Sequence, residues 1–393
     1  KKQMYNYIPL EQAADILDSY RKPVNSKERL NLNKGKPLDE LFPYYGATGQ
    51  VGWIDSFLTD GEYILLGEDG APFLNPYAEK AYIIHGKTWV NNHAHILRSK
   101  TNNEFLCYYL NYFNYKKYVS GTTRLKLTQA QMRKIPIPNI PSDEQSRIVA
   151  RIEELFSKLD KAVDTLKTTK EQLEVYRQAV LKDAFQEKEN IIRLGDAIEK
   201  PRYGTSKKCD YPCTANSTAV LRIPNIDTKN GRVDSSDLKY AEFNEKELEQ
   251  LSLKNGDILI IRSNGSISLV GSSAIIRKCD TDKTYAGYLM RLRILNKEKL
   301  LPKYLLYYLS SPDARRYIES VAKSTSGVNN INSQEISKLC VPLSSIEKQE
   351  KTVAEIEMKL SVYHEIEKSV DTVLVQADAM RQSILKQAFE GAL

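Results

Sequence analysis

The feature that most constrains this chain is a phrase that it uses twice. "YRQAVLKDAFQ" (Tyr176–Gln186) returns as "MRQSILKQAFE" (Met380–Glu390). Pairing Pro138 with Pro342 fixes an offset of 204 residues, and that offset runs without a gap to Gln186/Glu390 with 15 identities in 49 positions. Unrelated segments of that length would share roughly three, so the chain carries an internal repeat. Gln145/Gln349, Ile152/Ile356, Arg177/Arg381, Leu181/Leu385 and Phe185/Phe389 are among the identities. Upstream, "GEYILLGEDG" (Gly61–Gly70) matches "GDILIIRSNG" (Gly256–Gly265), and "FLCYYL" (Phe105–Leu110) matches "YLLYYL" (Tyr304–Leu309). Two copies of one plan, each a globular part of about 140–160 residues followed by a long helix, make a pseudo-dimer in one polypeptide and not a solenoid.

The repeated segments are helical by pattern. Apolar or small residues at Ile148, Ile152, Leu155, Leu159, Ala162, Leu166, Leu173, Tyr176, Val180 and Ala184 step mostly by three and four, the spacing of a coiled-coil seam. Ile356, Tyr363, Ile366, Val370, Val373, Ala377, Met380 and Ile384 repeat it. Ile152, Leu155, Leu159, Leu166 and Leu181, with Ile356, Tyr363, Ile366, Val370 and Ile384, are the candidate residues for the seam and for helices of a partner. Ser142 after Pro141 is placed to cap the first helix, and Gly391 to stop the second. At 1.5 Å per residue each rod is on the order of 65 Å long and needs a partner along its apolar stripe. The expected layout is a domain at 1–141, a spacer helix at 142–187, a second domain at 188–345 and a distal helix at 346–393. The expected fold class is α/β (α+β): two globular domains separated by two long antiparallel helices in a coiled coil, related by a pseudo-twofold repeat.

Charge is unevenly spread over this plan. The chain carries a net +7. Residues 142–187 hold 8 Lys+Arg against 10 Asp+Glu, and 346–393 hold 6 against 9, so the rods contribute −2 and −3 and the globular parts about +12. Phosphate contacts are therefore expected in the globular parts. No apolar run reaches the roughly 18 residues of a membrane span, and the sequence as read has no signal-peptide pattern, which predicts a cytoplasmic protein without a membrane partner. Five scattered cysteines do not make a disulfide framework.

Each globular half mixes short β-branched and aromatic runs with turns, then a helix with an aromatic stripe. "EYILL", "AYIIH" and "HAHILR" in the first half, and "DILIIR", "SAIIR" and "YLMRLRIL" in the second, read as strands. The aromatic stripes of "NEFLCYYLNYFNYKKYV" and "PKYLLYYLSSPDARRYI" read as core. Polar, basic and glycine-containing loops recur in both halves, with the side chains that read base edges or grip phosphate. They supply the candidate DNA-binding residues Tyr44, Tyr45, Thr48, Gln50, Lys87, Asn91, Asn92 and Arg124 in the first half. In the second they supply Arg202, Tyr203, Thr205, Lys207, Lys208, Arg262, Asn264, Lys323, Asn329 and Asn330.

Motifs for catalysis fall short. "LNPYAEK" lacks the second proline of an adenine-methyltransferase motif, and no glycine-rich turn for S-adenosylmethionine accompanies it. "HGKT" has Ala81 where a P-loop needs its first glycine. Cys209 and Cys213 in "CDYPC" have no second ligand pair at zinc spacing, so no metal site is expected. The reading is recognition without chemistry.

"FPYYGATGQVGWID", "WVNNHAHILR", "PRYGTSKK" and "VLRIPNI", with helix entries "IPIPNIPSDEQ" and "VPLSSIEKQ" and helices ending in "RQ..LK.AF", resemble the specificity subunit of type I restriction-modification systems. The resemblance covers nearly the whole chain. It implies that each domain reads one half of a split double-stranded DNA site, and that the helices set the spacing and bind two modification (methyltransferase) subunits. Restriction subunits would join through the complex, and S-adenosylmethionine would be bound by the modification subunit, with no cofactor on this chain. The competing classes are a coiled-coil scaffold whose domains bind protein or peptide, and the specificity subunit of a related restriction system that is not type I.

Overall fold

The computed structural model of the protein describes residues 6–187, 190–211, 214, 216–325 and 327–391, without the side chains of 323–325. Two long helices dominate it, Ser142–Ala184 and Ile346–Phe389, of 43 and 44 residues. The chain divides into two compact units, one running to Thr168 and resuming at Val370, the other spanning Thr169–Ser369. Each unit thus holds one globular domain, the near half of one long helix and the far half of the other.

In the first unit a four-stranded sheet has the order Ala14–Ile16, Ala94–Ser99, Tyr63–Gly67, Ala81–Ile84. A second four-stranded layer has the order Gly49–Ile54, Phe42–Gly46, Lys87–Val90, Thr59–Asp60. The central strand Tyr63–Gly67 is buried throughout, which is why it reads as an apolar run without alternation. Helix Asn103–Tyr112, capped by the Asn102 side chain, turns Phe105, Leu106, Tyr109 and Leu110 into the core. In the second unit a six-stranded sheet is built around Ile258–Ile261, flanked by Leu289–Leu292 and Ser273–Ile275, with helices Pro302–Leu309 and Pro312–Val321. It also holds two three-stranded sheets, one around Ser217–Leu221 and one around Val328–Asn330, and a two-stranded sheet of Ile191–Arg193 with Cys340–Pro342.

The repeated phrase has the same task in both units. Phe389 enters the first domain's core with ring centroids 5.4 Å from Phe105, 5.2 Å from Tyr109 and 5.5 Å from Tyr112. Phe185 enters the second domain's core 5.1 Å from Tyr304 and 5.2 Å from Tyr308. The far end of each long helix therefore plugs the domain beside which the other helix begins. The repeated glutamines tie those beginnings down: Gln145 Nε2 donates to Ile140 O at 2.8 Å, and Gln349 Nε2 to Ser344 O at 2.9 Å. Ser142 is the first residue inside its helix and not the cap, since Gln145 N–H bonds back to Pro141 O at 2.9 Å. Gly391 adopts φ 73° just past the second helix, a conformation open to glycine.

Among the buried and half-buried positions on the first rod is the series Val149, Ile152, Phe156, Leu159, Val163, Leu166, Lys170, Leu173, Arg177, Val180 and Ala184. On the second it is Val353, Ile356, Leu360, Tyr363, Glu367, Val370, Leu374, Ala377, Arg381, Ile384 and Ala388. Both step strictly by three and four, and each pairs with its counterpart at the offset of 204. This corrects the apolar-only pattern at Ile366, which is 41% exposed, and at Val373 and Met380, which are also exposed. The seam passes through charged residues with satisfied heads: Arg381 pairs with Asp160, and Lys229 holds Glu367 at 2.7 Å. A count of apolar residues skips those positions and slips by one. Leu155 lies half-buried beside the seam, and Leu181 is buried on the domain side of its rod within the second core.

Candidate nucleic-acid interface

In the first unit, central strand Tyr63–Gly67 ends where its antiparallel neighbour Ala94–Ser99 begins, so Glu68–Gly70 and Asn91–His93 meet at one end of the sheet. The segment 120–127 folds onto that end: Leu127 N–H donates to Glu68 O at 2.7 Å, Gly70 N–H to Leu125 O at 3.0 Å, and Ser120 and Lys126 exchange both backbone bonds. Gly121 (φ 103°) makes this turn possible, since a Cβ there would sit 2.3 Å from Arg124 O. The result is a cavity of about 670 Å³ bordered by Thr48, Val51, Asp69, Asn91, His93, Thr123 and Arg124. Arg124 Nε is 2.7 Å from Asp69 Oδ1.

A buried ionic network supports this rim. His95 is fully buried with Nδ1 2.7 Å from Asp18 Oδ2 and Nε2 3.0 Å from Leu127 O, so both ring nitrogens face acceptors. Gln129 Nε2 donates to Asp18 at 2.7 Å, Arg21 binds Glu68, and Lys126 Nζ lies 3.3 Å from Glu68 Oε1. Burial alone would raise Asp18, but hydrogen bonds and charge from His95, with Ile96 N–H and Gln129, hold it below the usual carboxylate range. Glu68 is also held low, the Arg21 hydrogen bond and the charges of His95 and Arg21 outweighing its burial.

The structure gathers Thr48, Asn91 and Arg124 at this cavity and leaves other candidates elsewhere. Tyr44 is a correction: it is 3% exposed in a cluster with Val24, Ile54 and Trp89, and its hydroxyl is 3.2 Å from both N and O of Val24. Asn91 lines the cavity but is itself buried, its Oδ1 accepting from His93 N–H at 2.8 Å. Tyr45 is half-buried against Tyr82, with ring centroids 6.0 Å apart. Lys87 opens the strand that Val90 closes and lies over the Phe57 ring at 4.9 Å, away from the cavity. Gln50 and Asn92 are exposed near the rim. "HGKT" forms a turn between two strands, without the helix a P-loop needs.

The second unit repeats the construction with different side chains. Ile331 N–H donates to Arg262 O at 2.9 Å, and strand Ser263–Asn264 pairs with Asn329–Asn330. A cavity of about 770 Å³ is lined by Thr205, Lys207, Lys208, Arg222, Lys239, Arg262, Tyr288 and Asn330 among others. Arg262 is its fixed centre: Nη1 donates to Gly287 O at 3.1 Å, Nη2 to Asn330 Oδ1 at 3.0 Å, and the guanidinium stacks 4.5 Å above Tyr203. Gly204 permits the close approach, since a Cβ there would lie 2.2 Å from Tyr285 O. Lys207 Nζ is 2.7 Å from Glu247 Oε2, and that hydrogen bond pulls the Glu247 carboxyl below its ordinary range. Lys208 reaches solvent with its side chain 88% exposed, 3.1 Å from Asp210.

Asn264 and Asn329 are occupied within the loop, accepting from Ser266 N–H at 2.8 Å and donating to Gly265 O at 2.9 Å. Arg202 is exposed beside Gln250. The backbone of Lys323 pairs with Asn330, and its side chain lies outside the described residues, as does Cys213. Arg222, Lys239 and Tyr288 line this cavity without having been singled out in the sequence. Arg222 sits in the quoted "VLRIPNI" and bonds Asp237 at 3.0 Å, whereas Lys239 and Tyr288 have no loop signature. Asp237 is held low by hydrogen bonds from Tyr211 and Arg222.

Residues 11–175 match the type I restriction modification DNA specificity domain family. Over those residues the chain resembles a type I restriction-modification DNA specificity domain. A putative type I restriction enzyme specificity subunit of Haemophilus influenzae is 29% identical to this chain over 316 residues, 76% of this chain and 74% of that protein. The Escherichia coli EcoKI specificity subunit is 28% identical over 289 residues, 70% of this chain but only 61% of the relative. The fold is that of a chain in a solved structure concerned with complex assembly and conformational transition of the type I R-M system: TM-score 0.71 at 17% identity, covering 100% of both chains. The HsdS subunit from Thermoanaerobacter tengcongensis superposes with a TM-score of 0.53 at 16% identity, over 99% of this chain and 97% of that one.

Proposed function

We propose that this chain is the DNA-reading subunit of a type I restriction-modification complex, each domain reading one half of a bipartite duplex site at the strand-end cavities described above. The carrying observation is that both units build a polar or cationic cavity at the same end of the corresponding central strand, in a chain that resembles specificity subunits. Thr48, Asn91, His93, Thr123 and Arg124 face one half-site, and Lys207, Lys208, Arg222, Lys239 and Arg262 the other. The chain itself is non-catalytic in this reading: methyl transfer, with its S-adenosylmethionine, belongs to two modification subunits, and cleavage to restriction subunits. Such a complex works in the cytoplasm, and among the described residues no helix is long and apolar enough to cross a membrane.

Ile152 and Ile356 are buried in the cores of their own units, so they hold the rods to the domains and do not face a partner. The surface offered to a modification subunit is a second stripe on the second unit's part of the distal helix, where Met358, Val362 and Ile366 are exposed. The test is to map methylated bases generated by the chain reconstituted with its modification subunits. A two-part sequence with an unspecified spacer is expected, and Arg222→Ala should relax or weaken the half read by the second unit alone. A contiguous motif, or a change in both halves, overturns the reading.

A further inference from the structure

The repeat predicts an ion pair in the second unit that is not there. In the first unit Arg381 binds Asp160 and lies 5.0 Å over the Phe156 ring. Shifting by 204 residues turns Arg381 into Arg177, Asp160 into His364 and Phe156 into Leu360. The arginine is kept, while its carboxylate is replaced and the large ring becomes a smaller side chain. At that place the second unit has a cavity of about 610 Å³, lined by Arg177, His364 and Leu360.

The cavity's other wall is the hairpin of strands Ile226–Asp227 and Arg232–Val233. Gly231 at its tip (φ 61°) approaches Leu306 so closely that a Cβ would be 2.9 Å from Leu306 Cδ2. Arg177 Nη2 makes one long hydrogen bond, to Lys229 O at 3.5 Å, and its Nε is buried without a hydrogen-bond partner among the described residues. Glu357 and Glu367 face the same region but are engaged by Lys303 at 2.6 Å and Lys229 at 2.7 Å. No ion pair of Arg177 or Arg232 is present among the described residues, and Glu365 is the further acid on the lining. A guanidinium walled in with its nitrogen unsatisfied is a costly arrangement unless an acceptor arrives.

We propose that this cavity is an oxyanion site in which a small ligand bearing a carboxylate or phosphate takes the place that Asp160 occupies in the other unit, bound through Arg177 with Arg232 at the entrance. Its volume is that of a small-molecule pocket, and it lies apart from the face proposed to read DNA.

Calorimetric titration of the full chain at constant ionic strength tests this, with citrate as the carboxylate probe and pyrophosphate as the phosphate probe. Saturable binding of at least one probe is expected, and the tighter one identifies the chemistry. His364→Asp supplies the carboxylate that the first unit has, and it should weaken that binding at least about tenfold, as should Arg177→Gln. If Arg177→Gln fails to fold by circular dichroism, His364→Asp decides. No saturable binding of either probe, or binding that survives in His364→Asp, overturns the proposal.

Discussion

The two cavities proposed to read DNA stand on the same chassis and carry different charge economies. The second unit's cavity is lined by five cations, Lys207, Lys208, Arg222, Lys239 and Arg262, with no carboxylate in the lining, although Lys207, Lys208 and Arg222 pair with Glu247, Asp210 and Asp237 beside it. The first has one arginine, Arg124, already paired with Asp69. The repeat locates the exchange, because Asp69 of the first unit aligns with Asn264 of the second. What is duplicated is the frame: the backbone pairing that brings the later loop onto the strand end, the buried glutamine and the phenylalanine plug. What diverges is whatever faces outward. A duplicated recognition protein is free to differ where it reads and constrained where it folds.

The largest effect should come from breaking the frame one unit at a time. Each plug phenylalanine is at most 4% exposed, so Phe389→Ala and Phe185→Ala should each cost about 3–5 kcal/mol in the unit they fill. The only two tryptophans, Trp53 and Trp89, are both in the first unit, so their fluorescence reports that unit alone. Denaturant unfolding followed by tryptophan should shift for Phe389→Ala and stay for Phe185→Ala. A shift in both would mean that the two units unfold as one, and the comparison between them would lose its thermodynamic meaning.

A second contrast lies under the faces. The first unit rests on the buried Asp18–His95 network, where Asp18 is held below its usual range in the folded state. A depressed folded value means that the stabilisation is complete above the unfolded carboxylate value of about 3.9 and is lost as pH falls through the lower folded value. Acid titration should therefore loosen the tryptophan-reported unit below about pH 4, by about 1.5–3 kcal/mol for a charge-assisted hydrogen bond. Asp18→Asn should remove that dependence while lowering stability at neutral pH. An unchanged acid transition in the variant would show that other carboxylates carry it.

How much of this was legible in the sequence follows from what repeats and what is apolar. The strands, the aromatic helices and the two rods were readable because apolar periodicity marks buried faces, and the plan was readable because Gln145, Phe185 and their copies have structural tasks that tolerate little change. The seam slipped at Glu367 and Arg381 because charged residues at buried positions are satisfied by partners distant in sequence. Tyr44 was misplaced because a tyrosine in a glycine-containing loop and a tyrosine hydrogen-bonded inside a core look alike in one dimension. Arg222 and Lys239 were missed because they reach their cavity from the three-stranded layer, and only the fold brings that layer beside Arg262.

The smallest effect is also the one that most sharpens the contrast between the faces. Each phosphate contact released by salt steepens the fall of log affinity with log salt by about 0.9. Lys239 lines a cavity without a carboxylate in its lining and makes no ion pair among the described residues, so alanine there should flatten the slope by about that amount and weaken all sequences alike. Arg124 must first leave Asp69, and the exposed pair it breaks offsets part of any phosphate contact, so Arg124→Ala should change the slope by less than half as much. Anisotropy titrations of the reconstituted complex from about 50 to 200 mM salt would measure both. Equal changes would mean that the first unit grips phosphate as firmly as the second, and that its sparse charge is not a sign of a different way of reading. If the slopes part as expected, the first face must draw its affinity from polar contacts by Thr48, Asn91, His93 and Thr123, and substitutions there should alter sequence preference without touching the salt slope.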